Sequence, residues 1–171
     1  NGFLINKLSI PAFVGTLSTM LFARGLVLML TKESTVTLGE LPPLLNFLGR
    51  GMVFKTIFSF PLILFIIVII ITSFILKKRY IGRSMYIVGG NAEAAKLMGV
   101  SVQKTLYTAH ALSGFMAALA GMIFASRVGS AVPLAGTGYE LYAIAAVVIG
   151  GAPLTGGIGK MTGTLFGSLI M

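Results

Sequence analysis

Two uncharged apolar stretches, residues 56–76 and 105–126, flank a strongly basic segment, 77–104. At ~1.5 Å per residue, a helix of either length reaches across a hydrocarbon core ~30 Å thick. Runs this long exceed any core strand. Segment 77–104 carries Lys77, Lys78, Arg79, Arg83, Lys96 and Lys104 against the single acid Glu93, a net of +5. A basic loop between two membrane spans stays on the cytoplasmic side.

The rest of the composition agrees. The chain is 56% hydrophobic and only 10% charged, where a soluble domain is ~25% charged. The formal charge of +9 does not indicate nucleic acid. The basic residues gather at span ends, where orientation and membrane lipid headgroups account for them. The absence of Cys removes disulfides and thiolate sites, and one His cannot build a metal cluster, so no metal or cofactor site is expected. The chain begins at Asn1 and ends at Met171 inside an apolar run, and residues 1–23 lack the features of a signal peptide. It reads as an internal fragment of a longer polytopic protein, with residues 1–171 forming one transmembrane domain.

A first span covers about residues 10–30, with Pro11 in its first turn and Arg24 inside it. An intramembrane Arg costs on the order of 3 kcal/mol, so Arg24 is expected to face the bundle interior or to snorkel outward. Segment 31–55 contains Pro42 and Pro43 and nets +1 from Lys32, Arg50 and Lys55 against Glu33 and Glu40, which puts it outside. The Ile- and Phe-rich second span suits a lipid-facing helix. On the third, Gly114, Ala118, Gly121 and Ala125 share one face, and Gly159, Gly163 and Gly167 repeat at four-residue spacing later. Small residues on one face let another helix approach closely. The expected fold is an all-α, polytopic helical bundle of about five membrane segments, one of them short or broken. That segment is 141–149, followed by Gly150 and Gly151 and a run of further glycines. Two readings stay open there: a broken helix beside a transport pathway, or a tight turn at the membrane face near Lys160.

Within the basic loop, 91–98 is a short helix signal. Asn91 is a good N-cap, Glu93 suits the first turn, Lys96 the last, and Gly99 the C′ position. Ala94, Leu97 and Met98 fall on one apolar face. They either dip into lipid headgroups or dock in a groove on a cytoplasmic partner. Ala94 and Ala95 favour docking, because they permit close backbone approach. Glu140 opens the apolar run 141–149, where an acid meets a helix dipole. His110 with Ser113-Gly114 is compatible with an intramembrane serine protease, although such a dyad draws its residues from different helices. Gly156-Gly-Ile-Gly-Lys160 is not a phosphate loop, because Met161 stands where Ser or Thr must follow the Lys. A secondary transporter would need intramembrane acids, and Glu140 alone lies near one.

Several of these segments resemble one family. Gly82-Arg83, Gly89-Gly90-Asn91, Glu93-Ala94-Ala95 and Gly99-Val100 are similar to the cytoplasmic loop of permease subunits from ribose-type bacterial ABC sugar importers. Ala135 to Leu141, the run Ala143 to Gly151, Ile10-Pro11-Ala-Phe13 and Ala23-Arg24-Gly25 resemble the same family. One departure is Tyr142, where the family usually has Asp. The resemblance implies a multi-pass subunit of the bacterial inner membrane that transports a monosaccharide and is not itself an enzyme. Its implied partners are a second permease subunit (a homo- or heterodimer), two ATP-binding subunits and a periplasmic sugar-binding protein. It further implies that 91–99 is the coupling helix seated on the ATPase. A branched-chain amino acid permease of the same ABC type is the alternative.

The charge balance predicts that segment 77–104 is cytoplasmic and 31–55 external. With single cysteines at Ser34 and Ser84 in intact cells, an impermeant thiol reagent is expected to label the Ser34 site alone. Labelling only at Ser84 would invert the topology.

Overall fold

Length and apolarity set the first level of structure. In the computed structural model, which describes residues 1–8, 10–39, 42–53 and 58–171, three helices are long and apolar enough to span a membrane. They are α2 (Ala12–Thr31), α4 (Phe60–Lys78) and α7 (Val102–Val128). At ~1.5 Å per residue, the 20, 19 and 27 residues of these helices give about 30, 29 and 40 Å. α4 has no buried residue at all, as the lipid-facing expectation requires. Glu40 and Lys55, counted in the charge of 31–55, and the first two residues expected for the second span, 56 and 57, lie outside the described residues.

The shorter elements are α1 (Gly2–Lys7), α3 (Pro43–Arg50), α5 (Tyr80–Gly90), α6 (Ala92–Leu97), α8 (Tyr139–Ile149) and α9 (Met161–Ile170). Among the described residues, four two-residue strands pair antiparallel. β1 (Val36–Thr37) joins β4 (Ser130–Ala131), and β2 (Met52–Val53) joins β3 (Phe58–Ser59). The chain divides into two compact units, Asn1–Leu64 with His110–Ala135, and Phe65–Ala109 with Gly136–Met171.

In the first unit, the described residues after α2 include the helix α3. Pro43 sits at the start of α3, where its missing N–H costs nothing. α3 rests on the end of α7. A Cβ on Gly49 would lie 2.6 Å from Ser126 Cβ and 2.8 Å from Arg127 N. The buried Ser126 hydroxyl donates to Leu45 O at 2.6 Å, and Arg50 Nε donates to Arg127 O at 3.4 Å. The Phe47 and Phe60 rings pack at 4.8 Å.

The second unit is organised by α8 and α9, which form an antiparallel hairpin with backbone touching backbone. A Cβ on Gly163 would collide with Gly150 O, and one on Gly167 with Ala146 O. Gly159 approaches Ala152, whose Cβ would sit 3.3 Å from a Cβ placed on the glycine. The four-residue glycine spacing on α9 thus meets Ala146 and Gly150, also four apart, on α8. Gly150 is a packing residue of this hairpin. Gly151, at φ +85°, turns the chain after it. The stretch after α8 is a turn joining two short apolar helices.

Two positions stand out. Gly114 and Gly121 are exposed, and a Cβ on either would meet nothing within 4 Å among the described residues. Ser84 is buried and its hydroxyl donates to Tyr80 O at 2.6 Å, so the exposed Lys96 is the accessible reporter position in the basic segment.

Gly163→Leu is expected to destabilise the full-length membrane protein by about 3 kcal/mol or more, because the added bulk meets backbone that cannot rotate away. Ile70→Leu, on the exposed surface of α4, is expected to stay within about 0.5 kcal/mol. Thermal unfolding in detergent measures both. A Gly163→Leu protein that melts with the wild type would refute the hairpin contact.

Candidate docking site

The region of interest is built on α5 and α6, in the second unit. Arg79 is extended (φ −95°, ψ 150°) and separates α4 from α5. Gly82 then lets α5 fold tightly back, because a Cβ there would fall 2.5 Å from Ile75 O. Gly82, Ser84 and Val88 are the buried residues of α5.

α6 follows the cap chemistry read from its residues. Asn91 is extended at φ −159°, and its Oδ1 accepts from the backbone N–H groups of Glu93 at 2.9 Å and Ala94 at 3.0 Å. These are orphan donors of the first turn. Glu93 lies in that turn and Lys96 in the last, both matching the helix dipole. Gly99 adopts φ +75° and releases the chain, after which Val100 N–H donates back to Ala95 O at 2.9 Å.

The two sides of α6 differ completely. Ala95 is 0% exposed and packs with Val88 and Val100, with Val102 against them. This corrects the expectation that Ala95 faces an external groove: the chain's own valines cover it. Ala94 is half-buried. Leu97 is 91% exposed and Met98 62% exposed, so the outward apolar edge consists of those two side chains.

α5 is also fixed to the loop between α8 and α9. A Cβ on Gly89 would lie 2.8 Å from Gly157 N, and one on Gly157 would lie 2.7 Å from Gly90 Cα. Gly156 and Gly157 hold φ of +85° and +79°, so both conformation and closeness exclude a side chain there. Tyr86 Oη adds a hydrogen bond to Gly159 O at 2.8 Å. The glycines that superficially suggested a phosphate loop serve as this seat. The helix bearing Leu97 and Met98 is therefore continuous, through backbone contacts, with the α8–α9 hairpin.

The remaining expected positions lie elsewhere. Arg24 is half-buried on α2. Glu140 is exposed in the first turn of α8. Tyr142, one turn along from Tyr139, meets that ring edge-on at 6.3 Å. His110 and Ser113 both lie on α7. Two features went unread in the sequence: α5, masked by Arg79, Arg83 and its glycines, and the burial of Ala95, for which no local signal exists.

The comparisons with known proteins agree with this architecture. The family described as "Branched-chain amino acid transport system / permease component" matches residues 1–171. The ribose import permease protein RbsC of Haemophilus influenzae is 42% identical over 100% of this chain and 53% of its own length. RbsC of Bacillus subtilis is 42% identical over 100% of the chain and 52% of its own length. The L-arabinose transport system permease protein AraH of Escherichia coli is 39% identical, covering 100% and 51%. The chain thus spans about half the length of the curated relatives it matches. No solved structure matches it. With three apolar helices of spanning length and a match from its first residue to its last, the chain is part of a multi-pass membrane protein and belongs to this family of transport permease components.

Proposed function

We propose that this chain contributes to the translocation pathway of an ATP-driven importer in the bacterial inner membrane, and that its cargo is a monosaccharide. The carrying observation is similarity over the whole chain to permeases named for ribose and arabinose. The family description mentions branched-chain amino acids, but the relatives named here carry sugar names. The permease pairs with a second permease subunit, receives sugar from a periplasmic binding protein, and is driven by separate ATP-binding subunits.

On this reading α6 is the coupling helix. Its Asn91 cap and its Ala95 anchor fix it to the permease, leaving Leu97 and Met98 for a groove on the ATP-binding subunit. A helix this short is marginal alone, so its seat must be rigid to transmit force. The Gly89–Gly90 contact with Gly156–Gly157 supplies that rigidity. Movement of α6 by the motor then displaces the α8–α9 hairpin without slack, because backbone contacts have no rotamers to absorb it.

The two faces of α6 give separable outcomes in the assembled transporter. Leu97→Asp is expected to leave permease expression and melting unchanged while lowering ATP-binding-subunit co-purification and sugar uptake at least about tenfold. Ala95→Trp is expected to fail earlier, with lost permease stability, because the indole must displace Val88 and Val100. Wild-type uptake and co-purification with Leu97→Asp would overturn the coupling assignment.

A further inference from the structure

A second feature of the same unit is unused by this reading. An open cavity of about 330 Å³ is lined by Ser73, Leu76 and Lys77 of α4, Arg83 and Tyr86 of α5, and Gly159, Lys160 and Met161. Three cations converge on it and no carboxylate lines it. The Tyr86 hydroxyl is already donated to Gly159 O, so it fixes the wall. Arg79, by contrast, is turned onto the Phe74 ring at 5.6 Å.

The depth of this cavity identifies its occupant. Leu76 and Lys77 belong to the last turn of α4, a spanning helix with no buried residue. The cavity therefore opens where hydrocarbon gives way to headgroups, at the end of a continuous apolar surface. A free phosphate would use the cations but not that surface. A phospholipid would use both, its acyl chains along α4 and its phosphate among Lys77, Arg83 and Lys160. Like charges lining one cavity repel one another, and an anion among them offsets that repulsion. The geometry points to a binding site for the headgroup of an anionic phospholipid, held by Lys77, Arg83 and Lys160. Basic pockets at the ends of membrane helices suit such headgroups.

The test uses the full-length permease in its complete transporter, purified in detergent and titrated with phosphatidylglycerol or phosphatidylcholine, with bound lipid read by native mass spectrometry. The wild type is expected to retain phosphatidylglycerol over phosphatidylcholine. Each of Lys77→Gln, Arg83→Gln and Lys160→Gln is expected to weaken that retention about fivefold. All three side chains are exposed, so these changes leave the packing intact. The charge-preserving pair Lys77→Arg and Lys160→Arg is expected to keep the lipid, which separates loss of charge from loss of fold. Retention of phosphatidylglycerol by the triple Gln variant at wild-type levels would overturn the site. So would its loss from the charge-preserving pair, or its complete displacement from the wild type by millimolar inorganic phosphate, which would make this a free-phosphate site.

Discussion

Backbone-on-backbone contact at glycine is the interaction on which the second unit depends. Within a membrane, lipid tails are as apolar as leucine side chains, so burial alone gives helices little reason to associate. Close packing must supply the attraction. The α8–α9 hairpin achieves it by omitting side chains at each point of contact: Gly167 opposite Ala146, Gly163 opposite Gly150, and Gly159 beside Ala152. The same device recurs where Gly89 and Gly90 meet Gly156 and Gly157. These contacts leave no adjustable atoms between the elements, so the hairpin, its loop and α5 form one connected structure.

The first unit relies instead on pairing backbone polar groups between its elements. A buried N–H or C=O left unpaired is costly. Two-residue ladders, β1 with β4 and β2 with β3, close some of these groups. The buried Ser126 hydroxyl satisfies Leu45 O, at the point where Gly49 lets α3 touch α7. Pro43, which sequence alone assigns to a polar loop, begins the helix α3.

What was legible in the residues was whatever depends on near neighbours in sequence. The spans follow from uninterrupted apolar length, and the expected 105–126 became Val102–Val128, extended through polar residues at both ends. Asn91 and Gly99 declared a cap and an exit because those roles are set by the residues beside them. The glycine spacing on α9 announced close packing, but not that Ala146 and Gly150 would receive it. The identical logic applied to Gly114 and Gly121 found no neighbour among the described residues. α5 stayed hidden because Arg79, Arg83 and the Gly89–Gly90 pair resemble a loop until Val88 and Ser84 are seen buried.

Ala95 shows why orientation on a short helix cannot be read from its apolar spacing. Ala94, Leu97 and Met98 do share one side, but a face acquires meaning only from what covers it. At ~100° per residue, positions 95 and 97 point ~200° apart, so one of them must turn away if the other is buried. Val88 and Val100, on either side of α6 in sequence, close over Ala95. That choice leaves the bulky Leu97 outside, where burial against a partner gains most apolar area. A small residue inside and a large one outside is the reverse of an ordinary amphipathic helix. Its own chain holds the helix through the small residue, and the large one stays exposed.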